Sequence, residues 1–312
     1  YKYLGVIFDN KLTWRANTEY LVAKANKKAW ILKYMASKYN ISQKTLLIMY
    51  ETIIVPILTY GIEIWGDVCI THFKKLESVE HSCVTKILGV NRLAHKQDTM
   101  YEAKMIPLKL RHDLKLLRTY KNKNLENMEN YNIGKRKKNF IKRLHELLEK
   151  IELNITEIKE KKDNELKKII IKYWTDILAN NTRLDPRSIF TNSLGKGEMK
   201  YIQLTKNRKD NSTWHQARLG VLTNNNFLFN IGKSDTKDCR KCKKPETIKH
   251  LIEECELNNY KGKTNDWLNE NQKEIDKIFF TFEKLLKTSE FLLILTVFGL
   301  VWEMWAPEDT EL

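Results

Sequence analysis

The stretch TWRANTEYLVAKANKKAWILKYMASKY, Thr13 to Tyr39, decides the fold class. Tyr20, Leu21, Ala25, Ala29, Leu32 and Met35 recur at helical spacing, which predicts one long helix with a single apolar stripe. Lys24, Lys27, Lys28 and Lys33 fall opposite that stripe, where they either meet solvent or touch a polyanion. Before this helix, YKYLGVIFD (residues 1–9) reads as a β-strand, and Asn10 and Lys11 turn the chain. After it, Ser42 is the expected N-cap of a second helix through LLIMYETIIV, which Pro56 must kink or interrupt. Thr71 and Gly89 bracket a third helix, and Asp98 is expected to cap a short fourth.

Farther on, residues 111–180 read as helical and poor in aromatics. Within them, GKRKKNFIKR (134–143) carries six basic residues and no acid: Lys135, Arg136, Lys137, Lys138, Lys142 and Arg143. The following ELLEKIELNITEIKEKKDNELKKIIIKYW reads as a two-faced helix stabilised by charge pairs one turn apart. Leu184-Asp185-Pro186 and Gly195-Lys196-Gly197 mark a linker, and a last unit begins near Thr205. The apolar run Phe291 to Trp302 is shorter than the roughly 20 residues a bilayer requires, so a buried helix is expected there.

Composition narrows the function. The chain has 312 residues, 42% of them hydrophobic, with only 11 glycines and 5 prolines, which suits a folded helical protein. A formal charge of +16 points to a polyanionic partner, nucleic acid first and an anionic membrane second. The plainer alternative is a solvated lysine-rich surface. No apolar leader opens the chain and its cysteines number five, so a reducing, intracellular setting (nucleus or cytoplasm) is expected. The chain opens on Tyr1 inside an apolar run, which reads as a fragment with an upstream part.

The densest chemistry lies in CRKCKKPETIKHLIEEC, Cys239 to Cys255. Two residues separate the first cysteines, seven more precede His250 and four more precede Cys255. Such a set suits zinc, which prefers four thiolate or imidazole ligands in a tetrahedron. Pro245 and Glu246 read as the first turn of a short helix that presents His250 and Cys255. With all four positions filled by protein, the ion would be structural and not catalytic. Arg240, Lys241, Lys243 and Lys244, interleaved with the ligands, would present a cationic edge.

Two blocks resemble the C-terminal part of the reverse transcriptase of non-LTR (LINE-type) retrotransposons, and are most similar to insect Jockey-like elements. YKYLGVIFDNKLTW, with YETIIVPILTYGIEIWG and LESVEHSCVTKILGV, forms the first block; TWHQARLGVLTNNNFLFNIG with the cysteine cluster forms the second. The resemblance implies a palm-closing strand, then a helical thumb carrying Pro56, Tyr60, Gly61 and Trp65. The expected fold is therefore mainly α: short N-terminal β-strands and a thumb-like helical bundle (1–110), a basic helical connector (111–185), and an α-rich domain with a CCHC zinc knuckle (186–312). RNA, DNA or their hybrid are the implied partners. The family's Mg2+-binding acids are an Asp and an Asp-Asp pair upstream of the palm-closing string, and this sequence has no Asp-Asp. Asp9 is not one of those acids. By itself the chain is expected to grip nucleic acid without polymerising. Arg218, with Trp214 and His215, is a further candidate contact, whereas Trp14, Tyr60 and Trp65 are assigned to the core. A host zinc-binding module for RNA or protein contacts is the alternative reading.

Overall fold

The computed structural model describes residues 1–66, 68–122, 140–180 and 208–247, together with His250 and Cys255. These form two compact units, the first from the described residues of 1–87 and 96–180, the second from 88–95 and 208 onward. The expectations for Lys135, Arg136, Lys137 and Lys138, for the 184–197 linker and for the 291–302 run fall outside the described residues.

The first unit opens on a hairpin where one strand was expected. β1 (Lys2–Tyr3) pairs antiparallel with β2 (Val6–Ile7), in the register Lys2 to Ile7 and Tyr3 to Val6. Leu4 and Gly5 both hold positive φ, 44° and 83°, the conformation that a two-residue hairpin turn demands. Asp9 then organises the next loop. Its Oδ1 accepts from the N–H of Thr13 (2.8 Å) and Lys11 (3.2 Å), and its Oδ2 from the N–H of Trp14 (2.8 Å). Burial works against the charge, yet these donors hold the Asp9 carboxyl below its ordinary value of 3.8. The acid of the D-x-x-L-x-W string is thus a structural anchor. Asp9→Ala is expected to cost about 1–2 kcal/mol at neutral pH, measured by urea unfolding. That contribution is present above the ordinary carboxyl value and lost as pH falls through the lowered one, so the two melts converge in acid.

Helix α1 (Arg15–Lys38) buries Leu21, Ala25, Ala29 and Leu32 of the expected stripe, while Tyr20 and Met35 are only half-buried and Ala36 takes the inward place near the helix end. Helix α2 (Gln43–Met49) starts as predicted, with Ser42 Oγ accepting from the Thr45 N–H at 3.0 Å. Pro56 acts differently from a simple kink. The proline ring cannot follow an ordinary α-turn, so the chain widens over Tyr50–Ile54 into a π-helical turn before α3 (Val55–Leu58) resumes. Helices α4 (Ile62–Trp65) and α5 (Ile70–Leu88) follow, then α6 (Lys96–Glu102), in whose first turn Asp98 lies buried and not ahead of it as a cap. Leu21, Leu32, Leu46, Tyr50, Ile54, Leu58, Ile62, Trp65 and Leu76 form the fully buried centre.

The Tyr60-Gly61 motif locks the hairpin to these helices. Tyr60 donates its hydroxyl to the Leu4 carbonyl (2.7 Å), and Trp65 Nε1 donates to the Tyr60 carbonyl (2.7 Å). Gly61 turns at φ 63°, and a Cβ there would approach Val6 Cγ2 to 2.9 Å. Tyr60 itself is 49% exposed, against its assignment to the core, because its hydroxyl reaches over the hairpin turn. Trp14 and Trp65 are buried as expected.

Beyond residue 107 the first unit continues with α7 (Leu108–Asn122), α8 (Phe140–Ile151), α9 (Ile155–Glu160) and α10 (Asp163–Asn180). The single two-faced helix expected over the Glu/Lys-rich stretch is broken twice. Glu152 takes φ 54°, and the Lys161 N–H closes on the Glu157 carbonyl. Each break lets a separate apolar face turn inward: Leu144, Leu147 and Leu148 from α8, Ile158 from α9, and Leu166, Ile170, Trp174 and Leu178 from α10.

Candidate metal centre

In the second unit, α11 (Arg208–Arg218) leads through Leu219, Val221 and Leu222, all buried, to α12 (Asn225–Asn230). Asn224 caps α12, its Oδ1 accepting from the Phe227 N–H at 2.7 Å. The chain then folds into a short hairpin. Asp238 bridges Pro245, the Cys239 N–H donates to the Lys244 carbonyl (2.7 Å), and the Glu246 N–H donates to the Lys237 carbonyl (2.8 Å). At its tip Lys243 takes the left-handed conformation, φ 60°, and its N–H returns to the Cys239 carbonyl at 3.1 Å. This tight turn brings Cys239 and Cys242 to one side.

The other two donors arrive from residues 250 and 255. Thr247 Oγ1 accepts from the His250 N–H (3.0 Å), and the Cys255 N–H donates to the His250 carbonyl (2.8 Å). Pro245 and Glu246, expected in the first turn of a helix, are held in the hairpin instead. Cys239 Sγ lies 3.7 Å from Cys255 Sγ, Cys242 Sγ lies 4.0 Å from Cys255 Sγ, and His250 Nε2 lies 2.9 Å from Cys242 Sγ. All four donor atoms fall within 4.8 Å of one another. The sulfur separations are far beyond the roughly 2.05 Å of a disulfide. They match the edge of about 3.8 Å that a tetrahedron with 2.3 Å metal–sulfur bonds would have. The donor set fits a metal ion.

Electrostatics separates Cys239 from Cys83. Burial opposes ionisation of Cys239, but the backbone N–H groups of Cys242 and Lys241, with the His250 ring and Cys242 side chain, bring its pKa down to about 7. Cys83, buried in the first unit, is pushed up to about 11 by desolvation. Cys69 is exposed and outside the cluster. The first is poised as a ligand; the second is an inert core residue.

A strut under the hairpin escaped sequence reasoning. Glu246 is 6% exposed and its Oε1 accepts from the Asn225 N–H at 2.8 Å, while Asn225 Nδ2 donates to the Asp238 carbonyl at 3.0 Å. Burial raises the Glu246 pKa against the pull of the Asn225 N–H. Helix α12 is thereby clamped to the turn carrying the ligands. The one sequence signal was the Asn-rich start of a helix just upstream of the cluster.

The expected cationic contacts divide into two groups. Lys24, Lys27 and Lys28 are exposed on α1, as are Arg240, Lys241, Lys243 and Lys244 around the cluster, and Lys142 on α8. Lys33 instead donates to Ser82 Oγ at 2.7 Å, and Arg143 donates to the Glu63 carbonyl at 3.1 Å with His112 Nε2 at 3.3 Å. Both are engaged inside the first unit. Burial, then the nearby Lys109, Arg143 and Lys115, holds His112 well below the ordinary histidine value, so it accepts as a neutral ring. Arg218 is half-buried at the end of α11; His215 is buried and cannot stack on a base, and the Trp214 side chain lies outside the described residues. No described helix is long and apolar enough to cross a membrane.

Comparison with known proteins agrees with the motifs. The chain is 35% identical over 92 residues to the probable RNA-directed DNA polymerase from transposon X-element of Drosophila melanogaster. It is 32% and 30% identical, over 93 and 90 residues, to the RNA-directed DNA polymerases from mobile element jockey of Drosophila funebris and Drosophila melanogaster. Each match covers 28% of this chain and spans about one tenth of the length of the curated relative. No family model matches, and no solved structure does. Over that part of its length, the chain resembles the RNA-directed DNA polymerases of jockey-type non-LTR retrotransposons.

Proposed function

We propose that this chain is a nucleic-acid-holding part of a non-LTR retrotransposon reverse transcriptase, containing the end of the palm, the thumb, a basic connector and a zinc knuckle. The similarity to the jockey and X-element polymerases carries this reading. The Tyr60-Gly61 joint and the Cys3His cluster support it, since both gather residues of the motifs that bear the resemblance. Zinc is the proposed ion, chosen by three soft thiolates and one imidazole in a compact set. It would cross-link the hairpin to the following segment and leave no coordination position for substrate. Exposed lysines on α1 and around the knuckle would meet phosphates, giving affinity that depends on salt more than on sequence.

Replacing Lys135, Arg136, Lys137 and Lys138 with Ser tests the connector. Duplex binding by the full chain, followed by anisotropy across a salt series, is expected to weaken. Its log–log slope should flatten by about one for each phosphate that the variant no longer neutralises. An unchanged slope would remove the patch from the interface.

A further inference from the structure

The face of α1 turned away from the core holds more than lysines. Trp30 is 66% exposed, Tyr34 44% and Ile31 47%, on a helix whose other face is fully buried. The two rings lie nearly parallel, 14° apart with centroids at 5.6 Å. Lys27 and Lys24 lie one and two turns before them on the same face, and Lys38 one turn after, all exposed. At 1.5 Å per residue, Lys24 to Lys38 makes a track about 21 Å long. No acid occurs between Glu19 and Glu51, a span with six lysines, so nothing in the local sequence neutralises this face.

Single exposed apolar side chains are ordinary on a protein surface; adjacent large rings grouped with an aliphatic neighbour are the informative case. Here a near-parallel pair stays exposed, with the Tyr39 ring packed roughly perpendicular to Tyr34 (78°, centroids 6.3 Å apart) and cations before and after the pair along one helix. A solvated helix face would need the lysines but not the rings. A protein partner could also bury the rings, but would need acidic groups matched to the lysines before and after them along the helix. An unpaired polynucleotide offers both complements at once, π-faces for the rings and phosphates for the lysines.

We infer that Trp30 and Tyr34 form a stacking platform for unpaired bases, flanked by Lys24, Lys27 and Lys38 on the backbone of the same single strand. This rests on the proposed nucleic-acid-holding role and deepens it, since it assigns single-stranded rather than duplex nucleic acid to this face. The rings act by stacking and so confer little sequence preference.

The test compares binding of the full chain to a fluorescein-labelled 20-mer of deoxythymidine and to a 20-base-pair duplex, across a salt series. Trp30→Ala combined with Tyr34→Ala is expected to weaken single-strand binding about tenfold or more, with an unaltered salt slope and little change for the duplex. Trp30→Phe should keep most of the affinity but lose part of the tryptophan quenching that the oligonucleotide causes. Because both rings are exposed, the variants are expected to melt with wild type; the two single alanine variants, each with part of the loss, provide the check. Equal weakening on both ligands, or none on either, overturns the platform and leaves the proposed function standing. A wild-type chain that binds neither ligand overturns both.

Discussion

Metal analysis of the purified full chain is expected to find about one zinc per molecule, and Cys242→Ser is expected to abolish it. The effect on structure should be large. Structural zinc in small fingers is worth roughly 10–16 kcal/mol at neutral pH. The hairpin around it is pinned by one bridge, Asp238 to Pro245, and a few backbone hydrogen bonds. Chelation should therefore expose the Cys239 and Glu246 amides to rapid hydrogen exchange. It should also loosen α12, which Glu246 holds through the Asn225 N–H. The amides of α5, in the first unit, should keep their protection. Zinc absent from carefully prepared protein, or protection at Cys239 that ignores chelation, would refute the site.

The second large effect concerns Glu80, buried in the centre of the first unit. Its Oε1 accepts from the Tyr50 hydroxyl at 3.3 Å, and both side chains are completely enclosed. Burial raises its pKa from 4.5 to about 7, although the charges of Lys96 and Arg111 and the Leu108 N–H pull the other way. Between those two values the folded chain keeps a proton that the unfolded chain has released. Stability should thus be fully present below pH 4.5 and fall as pH rises toward 7, by about 3 kcal/mol in all. Glu80→Gln keeps the acceptor and removes the titration. Its urea midpoint should match wild type in acid and exceed it at pH 8, and two parallel stability–pH curves would sink the argument.

The helices and the metal cluster were legible in the sequence because their signals are local. The stripe from Leu21 to Leu32 repeats every turn, and Ser42 announces a helix start by its own hydroxyl. Cys239 and Cys242 belong to one tight turn, so their spacing alone specified that they could share an ion. Boundaries were less secure. A proline ring can be absorbed by a widened turn as well as by a kink, and only the packing around Tyr50 and Ile54 selected the former.

What the tertiary structure alone decided was the fate of individual polar and aromatic side chains. Lys33 and Arg143 look like their neighbours in sequence, yet Ser82 and the Glu63 carbonyl, 49 and 80 residues away, draw them inward. Glu246 became a strut because α12 presents an unsatisfied N–H to it, and Trp30 stayed outside because the stripe beneath it was already filled by Ala29 and Leu32. Residue type and spacing fix which face of a helix is apolar; which distant group meets the other face depends on how the chain returns, and no local pattern encodes that.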